Sequence, residues 1–171
     1  PRLQGKAKLI RFADDFVIVF KHQEDAQRVL DVLSKRFGKY GLTIHADKTR
    51  LVDFRHPWDS KKKPGTFDFL GFTHYWGKTK KGGFCIRKKT ASKKLRRSLQ
   101  GIHVWCKKHR HRTLAWQHHR LCQKLQGHYA YYGVTGNYAS IGAYRHHALR
   151  IWRFWLNRRS RKRDGMSWSR F

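Results

Sequence analysis

The stretch Leu-Ile-Arg-Phe-Ala-Asp-Asp-Phe-Val-Ile-Val-Phe, residues 9–20, decides how the first half of the chain folds. Its β-branched and aromatic residues favour strands, and the two acids interrupt them. We predict a strand over Lys8–Phe12, a turn at Ala13–Asp15 and a second strand over Phe16–Phe20. The unbroken apolar run predicts that the second strand is buried on both faces.

A helix is predicted after this hairpin, and its apolar stripe ends near Gly38 and Gly41. The stripe consists of Ala26, Val29, Leu30, Leu33, Phe37 and Tyr40. Further strands are predicted, separated by a loop over residues 55–66 and a Gly/Lys-rich loop over Gly77–Gly83. The strand candidates are Leu42–His45, Thr49–Phe54, Phe67–Trp76 and Phe84–Lys89.

From Thr90 the apolar period becomes helical, which predicts three helices with breaks at His109–Thr113 and Gly133–Asn137. The first stripe is Leu95, Leu99, Ile102, Trp105 and Cys106. The second is Leu114, Leu121, Cys122, Leu125, Tyr129 and Tyr132. The third is Ile141, Tyr144, Ala148, Ile151, Trp152 and Trp155.

The charge of the chain points to an acidic partner. Forty Lys and Arg residues stand against ten Asp and Glu, for a net charge of +30. Residues 1–89 hold 21 bases and 9 acids, and residues 90–171 hold 19 bases and 1 acid. Nucleic acid is the usual partner of such a surface, since phosphate contacts release counterions. An anionic membrane is the alternative, but no apolar run is long enough to span one, and no signal peptide is evident.

Cysteine and histidine give little sign of a metal site. The three cysteines, Cys85, Cys106 and Cys122, contain no Cys-x-x-Cys pair, so we interpret them as reduced thiols. Half of the twelve histidines, among them His109, His111, His119 and His146, have an adjacent Arg or Lys, which suits phosphate contact better than cation binding.

Asp14 and Asp15 form the pattern with the clearest chemistry. Two adjacent carboxylates at a hairpin tip repel each other unless a cation neutralises them. Mg²⁺ is held by a few protein oxygens together with water and substrate phosphates, and two such ions serve nucleotidyl transfer. A solvated Asp-Asp turn explains the same pattern, and the residues alone leave both interpretations open.

Four segments resemble the reverse transcriptases encoded by group II introns. Phe12-Ala13-Asp14-Asp15 is similar to their Tyr-Ala-Asp-Asp catalytic turn, with Phe in place of Tyr. Residues 40–49, Tyr-Gly-Leu-Thr-Ile-His-Ala-Asp-Lys-Thr, resemble the Gly-Leu…Lys-Thr segment, and residues 67–72, Phe-Asp-Phe-Leu-Gly-Phe, resemble the primer grip. Residues 121–137 look like the helical maturase region called domain X. The four occur in the family's order.

The resemblance implies an α+β fold in which residues 1–89 are an antiparallel half-palm with one helix and residues 90–171 are an all-α, three-helix thumb and maturase region. It implies that Asp14 and Asp15 hold Mg²⁺ and that Lys48 acts at the nucleotide phosphates. The residues implied to contact nucleotide or primer are Phe12, Ala13, Phe69, Leu70, Gly71 and Phe72. An ordinary surface lysine and an ordinary turn glycine are the alternatives for Lys48 and Gly71.

The thumb is implied to contact template–primer and intron RNA through basic side chains and one exposed tyrosine. These residues are Lys93, Lys94, Arg96, Arg97, Lys107, Lys108, Arg110, Arg112 and Tyr131. We expect Tyr129 and Tyr132 to be core residues and only Tyr131 to be exposed.

The family's third metal-binding Asp and its fingers precede the matched segments, so we expect an N-terminal fingers and palm portion as a partner, in this chain or another. Alone, the 171 residues are expected to be inactive as a polymerase. Three hypotheses stay open: the C-terminal portion of an RNA-directed DNA polymerase, a non-catalytic maturase-type module that assists splicing, and a general RNA-binding protein. The family also implies a bacterial cytoplasmic setting.

Overall fold

The computed structural model describes residues 2–58, 63–159 and 167–171, and it confirms the α+β class. Small sheets come first along the chain and three long helices follow. The chain divides into two compact units. The first is drawn from Pro1–Leu70 and Tyr75–Cys85, and the second from Gly71–His74 and Ile86–Phe171.

The first unit opens with an antiparallel hairpin of β1, Ala7–Phe12, and β2, Asp15–Phe20, whose register runs from Ala7 opposite Phe20 to Phe12 opposite Asp15. Helix α1, Gln23–Gly38, follows it, and Gly41 has a φ of 68° just beyond. The helix packs on β2, where the Phe16 and Phe37 rings stack with centroids 6.1 Å apart. The predicted hairpin and helix are therefore confirmed.

The predicted burial of the second strand on both faces is wrong. Among the described residues, β1 and β2 form a sheet of two strands, and every residue of β2 keeps part of its surface exposed although α1 packs against the strand. Val19 is 54% exposed, and the other apolar residues of β2 are half-buried. In the described part of the first unit, no apolar side chain is buried.

The strands predicted over Leu42–His45 and Thr49–Phe54 do not form. A short 3₁₀ helix, Ala46–Lys48, lies between them, and the flanking residues are irregular. Outside this helix the segment makes few backbone bonds, such as Gly65 N–H to the Asp53 carbonyl at 2.8 Å. An apolar, β-branched sequence becomes a strand only where a partner strand completes the ladder, and none among the described residues does so.

The strand predicted over Phe67–Trp76 is two strands joined by a tight turn. β3, Phe67–Phe69, and β4, Phe72–Lys78, flank Leu70 and Gly71, and β5, Phe84–Thr90, follows a five-residue loop. The three form one sheet in the order β3-β4-β5, and connections this short require antiparallel neighbours. Both β4 and β5 contribute residues to both units.

The second unit is built on helices α2, Ser92–His109, α3, Leu114–Tyr132, and α4, Tyr138–Asn157. The predicted breaks between them are confirmed. The buried core is Ile102, Cys106, Leu121, Leu125, Tyr144, Ala148, Trp152, Trp155 and Leu156. The three predicted stripes supply all of it except Leu156, whereas Leu114 of the second stripe is exposed at the start of α3.

Candidate functional site

The acidic turn is held by the backbone of the hairpin. Ala13 and Asp14 form the turn, and Asp15 is the first residue of β2, opposite Phe12 in the register. Ala13 has a φ of 49°, a left-handed conformation that is uncommon for a residue with a side chain. The Arg11 side chain donates from Nε to the Ala13 carbonyl at 2.8 Å, which stabilises this conformation.

The carboxylates of Asp14 and Asp15 are exposed and meet no hydrogen-bond or ion-pair partner among the described residues. Other acids of the first unit are engaged. Backbone N–H groups of Gln4 and Gly5 bind Asp25, and Arg55 binds Asp53 at 2.6 Å and lowers the pKa of that carboxyl to about 2. Two adjacent carboxylates are therefore available at the hairpin tip.

The acidic turn fits part of a magnesium site. Its oxygens are hard donors of the kind Mg²⁺ prefers, and no basic side chain competes for them among the residues that the structure describes. Within the described ranges, no three His, Cys, Asp or Glu side chains are grouped closely enough to hold a metal ion. Two carboxylates are what this part of the molecule offers to a cation.

Phe12 and Lys48, two further predicted site residues, are both exposed. Phe12 ends β1 with 64% of its surface exposed, although its chemistry favours burial. Lys48 ends the 3₁₀ helix, which is held by backbone bonds to the His45 carbonyl and by the Thr49 hydroxyl donating to the same oxygen at 3.1 Å. Its ammonium group has no hydrogen-bond or ion-pair partner among the residues that the structure describes.

Leu70 and Gly71 form the second tight turn, with φ angles of 50° and 78°. Positive φ at both central residues gives a type I′ hairpin turn, for which glycine is well suited. A Cβ on Gly71 would lie 3.0 Å from the Tyr132 hydroxyl oxygen, and the Gly71 carbonyl accepts a hydrogen bond from Ala91 N–H at 2.9 Å. Both the backbone conformation and the limited space beside Tyr132 thus favour glycine at position 71.

Phe72, a predicted primer contact, lies within an aromatic cluster of the second unit. Its ring stacks on Tyr131 with centroids 6.0 Å apart and meets Tyr132 edge-on at 5.3 Å. Lys88 places its ammonium 5.8 Å from the Phe72 ring centroid. Phe69, at the end of β3, is half-buried in the first unit.

Six of the predicted RNA-binding residues lie along α2 and are exposed there. They are Lys93, Lys94, Arg96, Arg97, Lys107 and Lys108. Leu95, Leu99, Ile102 and Cys106 pack into or against the core, so the helix presents its cations, together with the exposed Val104, on the opposite side. This amphipathic arrangement leaves the ammonium and guanidinium groups accessible to phosphates.

Arg110 and Arg112 pack on aromatic rings at the α2–α3 connection. Arg110 Cζ lies 5.9 Å from the Trp155 ring, and Arg112 Cζ lies 5.7 Å from Trp116. Their carbonyls accept hydrogen bonds from the Gln117 side-chain amide at 3.2 and 2.8 Å. These two arginines therefore have structural roles that the sequence interpretation did not include.

The predicted exposure of Tyr131 is confirmed, whereas the prediction of two core tyrosines holds only in part, because Tyr129 packs against the core and Tyr132 lies outside it. Tyr131 is 54% exposed, whereas Tyr129 and Tyr132 are half-buried, and burial raises the pKa of both hydroxyls. Tyr131 is therefore the most exposed tyrosine of α3, although one side of its ring stacks on Phe72.

Two buried polar residues were missed by the sequence interpretation. Asn137 accepts from Thr90 N–H at 2.8 Å and donates to the Tyr132 carbonyl at 2.8 Å. The Gln117 carbonyl oxygen accepts from the Trp152 indole N–H at 2.9 Å. Asn137 precedes the first residue of α4, but its side chain makes no capping bond and instead binds Thr90, 47 positions away, and the Tyr132 carbonyl.

Comparison with known proteins places one family on the first part of the chain. The family model described as reverse transcriptase (RNA-dependent DNA polymerase) matches residues 2–74, from the start of the chain through the acidic turn and into β4. No curated protein and no solved structure gives a significant match. None of the helices in the described ranges is long and apolar enough to cross a membrane.

Proposed function

From the match of residues 2–74 to the reverse transcriptase family, we propose that this chain is the C-terminal portion of an RNA-directed DNA polymerase of the group II intron type. The observation that carries the proposal is the acidic turn: Asp14 and Asp15 lie exposed and unpaired at the tip of an antiparallel hairpin inside the matched segment. The role of each residue below is part of the proposal.

Asp14 and Asp15 would hold Mg²⁺ through their carboxylate oxygens, with a third carboxylate supplied from an upstream palm segment. The bound ions would neutralise charge that develops on the reacting phosphates. The two side chains would position those ions relative to the primer end, because the Arg11 bond to Ala13 holds the turn in one conformation.

Lys48 would neutralise the leaving pyrophosphate or donate a proton to it, since an accessible ammonium favours the transition-state charge on phosphate oxygens. Phe12 and Ala13 would border the incoming nucleotide. The segment Phe69-Leu70-Gly71-Phe72 would support the primer, where the type I′ turn allows the backbone to approach closely.

The helical unit would bind template–primer and intron RNA through the exposed cations of α2, with Arg110, Arg112 and Tyr131 as further contacts. The support is the charge: 19 bases against 1 acid in residues 90–171. The family likeness is also the reason for proposing a bacterial, cytoplasmic enzyme of a mobile intron.

A second candidate function is a non-catalytic maturase-type module that binds intron RNA and assists splicing. The observation that favours it is the exposed row of cations on α2, which could bind intron RNA without any contribution from the acidic turn. In this case the acidic turn would be a relic.

The experiment is Mg²⁺-dependent DNA synthesis on a primed RNA template. The purified chain is assayed alone and with a separately purified fingers-and-palm polypeptide from a group II intron reverse transcriptase. The variants are Asp14→Asn and, as a matched control, Asp31→Asn. Asp31 is an exposed acid of α1 that accepts a hydrogen bond from the Gln27 side chain. The amide oxygen of an asparagine at this position can accept the same bond.

We expect synthesis only in the mixture, its loss in Asp14→Asn, and full synthesis in Asp31→Asn. Salt-sensitive RNA binding without synthesis in the mixture would favour the splicing module. Synthesis that survives Asp14→Asn would contradict the assignment of the metal to the acidic turn.

A further inference from the structure

A cleft on the C-terminal half of α4 has the chemistry of a nucleotide-binding site. Its volume is about 440 Å³, within the range of roughly 300–1,000 Å³ usual for small-ligand sites. It lies entirely in the second unit, whereas the acidic turn belongs to the first. Its lining residues are His146, Arg150, Arg153, Phe154, Asn157 and Trp168.

Four of the lining residues follow one face of α4, because positions 146, 150, 153 and 157 recur every three or four residues. This face opposes the core residues Ala148, Trp152 and Trp155 of the same helix. It carries two guanidinium groups and an imidazole, and no acid lines the cleft among the described residues.

Trp168 provides an aromatic wall. Its indole is 50% exposed, lies nearly parallel to the His146 ring at 14°, and has Arg153 Cζ 4.4 Å from its centroid. Phe171 meets Trp168 edge-on at 5.6 Å and packs on the core residue Trp152 at 5.2 Å. The exposed indole is thus held in place through Phe171, which packs on the core.

Arg150 supplies the accessible charge. It is exposed, and its guanidinium has no partner among the residues that the structure describes. A free guanidinium close to a half-exposed indole offers a fork for phosphate oxygens and a flat surface for a base. An acidic peptide would use the charge but would leave the indole without a matching surface.

We propose that this cleft binds an unpaired nucleotide of RNA, with the base stacked on Trp168 and the adjoining phosphate held by Arg150 and Arg153. Base–aromatic stacking is sequence-tolerant, so the site selects single-stranded over paired nucleotides without selecting a base. The inference rests on the RNA-binding role proposed for the helical unit, and it assigns to α4 and Trp168 a contact distinct from the cationic face of α2.

The test compares three labelled RNA probes by fluorescence anisotropy, using the full chain. The probes are a blunt hairpin, the same hairpin with a short single-stranded tail, and one whose tail lacks bases. The variants are Trp168→Leu, Trp168→Phe and Arg150→Gln. The matched controls are Trp58→Leu, an exposed tryptophan of the first unit, and Arg36→Gln, an exposed arginine of α1.

We expect Trp168→Leu to weaken binding of the tailed hairpin about tenfold while binding of the blunt and base-free probes is unchanged. Trp168→Phe should keep most of the preference for the tail, since it retains a stacking surface. Arg150→Gln should weaken both tailed probes and reduce the salt slope by about 0.7, the value expected when one phosphate of a single strand is no longer neutralised. The two controls should behave as the unsubstituted chain.

An unchanged preference for the tail in Trp168→Leu would overturn the proposal, as would an equal loss on the base-free tail. A poly-glutamate peptide that competes as well as the tailed RNA would overturn it in favour of an acidic peptide. If the unsubstituted chain binds neither hairpin, the RNA-binding role itself fails. If it binds both hairpins and Trp168 has no effect, only the cleft is refuted.

Discussion

Gly71 illustrates how a single residue determines local conformation, since both its φ of 78° and the 3.0 Å from a Cβ there to the Tyr132 hydroxyl oxygen favour glycine. A left-handed conformation costs an L-residue about 1–2 kcal/mol. We predict that Gly71→Ala lowers the free energy of unfolding of the helical unit by more than this amount. The added methyl group meets the Tyr132 hydroxyl oxygen at 3.0 Å. Urea unfolding followed by far-UV circular dichroism measures the loss.

Gly136→Ala is the matched control for that substitution. Gly136 lies in the same unit with a φ of 87°, but a Cβ there meets nothing within 4 Å among the described residues. It should therefore show the backbone effect alone. Adding Tyr132→Phe to Gly71→Ala should recover the difference, and equal losses in the two glycine variants would show that the Tyr132 clash is relieved without penalty.

His128 is a buried imidazole whose ring stacks on Tyr144 with centroids 3.7 Å apart, and its burial lowers its pKa. Since the unfolded chain binds this proton more readily than the folded one, the contribution of His128 to stability is fully present above about pH 6.5. It is lost as the pH falls toward the lower pKa of the folded state. The urea concentration at the midpoint of unfolding should therefore decrease as the pH is lowered below about 6.5.

We expect His128→Phe to make this dependence shallower, because phenylalanine stacks on Tyr144 without taking a proton. His109, whose pKa is also lowered by burial and by neighbouring cations, would account for part of what remains. His147→Gln, at an exposed position, serves as the control and should leave the slope unchanged. A slope that is the same in His128→Phe would contradict the assignment.

At the scale of elements, Asn137 joins the end of β5 to the connection between α3 and α4. Its amide binds Thr90 N–H, the Thr90 hydroxyl at 2.9 Å and the Tyr132 carbonyl. We predict that Asn137→Ala lowers the free energy of unfolding by about 1–3 kcal/mol, because it leaves buried backbone groups without partners. Denaturant titration measures the change, and the Thr90 amide should lose protection from hydrogen exchange.

Thr90→Val is the graded control for Asn137. It removes only the hydroxyl acceptor and keeps the backbone bond to Asn137, so its effect should be about 1 kcal/mol or less. If Thr90→Val destabilises as much as Asn137→Ala, the packing at this site and not the amide network accounts for the stability.

The β1–β2 hairpin and the α2–α4 helices should differ widely in local stability. The hairpin has exposed apolar side chains and a two-stranded ladder, whereas α2 and α4 share a buried core. Because local opening is easiest where little apolar surface is buried, hairpin amides should exchange far faster than those of α2 and α4. Hydrogen exchange followed by mass spectrometry tests this, and comparable protection in both regions would refute it.

At the scale of the whole molecule, a charge of +30 should make RNA affinity steeply salt-dependent. We predict that replacing Lys93, Lys94 and Arg97 with glutamine reduces the slope of log affinity against log salt by about 0.9 for each duplex phosphate that is no longer neutralised. Replacing Lys21, Lys35 and Lys39, exposed cations of the first unit, changes net charge equally and is the control. Equal slope changes in both triple variants would mean that α2 is not a preferred binding face.

The parts of the structure that depend on local pattern could be predicted from the sequence. The hairpin, α1 and the helix breaks at His109–Thr113 and Gly133–Asn137 follow from periodicity and glycine placement. The strands predicted over Leu42–His45 and Thr49–Phe54 did not form. Strand formation there requires a partner strand, whose presence cannot be predicted from a local sequence pattern. The same holds for the bonds of Asn137 with Thr90 and of Gln117 with Trp152, whose partners lie 47 and 35 positions apart in the sequence.

For the candidate site, too, the local features could be predicted from the sequence and the tertiary contacts could not. The position of Asp14 and Asp15 at the tip of a hairpin could be predicted, because turn chemistry is local, whereas the residues alone left metal binding and a solvated turn as alternatives. The packing of Phe72 against Tyr131 and of Arg112 over Trp116 depends on tertiary structure, so residues predicted to meet nucleic acid proved to have protein neighbours as well.

Asp25 sets a limit on how the chain can be shortened in the laboratory. Its carboxylate is 1% exposed, and its pKa is lowered chiefly by the backbone N–H groups of Gln4 and Gly5. A shortened chain that starts after Gly5 would keep this anion at the first turn of α1 and lose the donors that solvate it. Expression boundaries for the hairpin unit therefore belong before Gln4, and an affinity tag fused there should be separated by a spacer that leaves both amides in place.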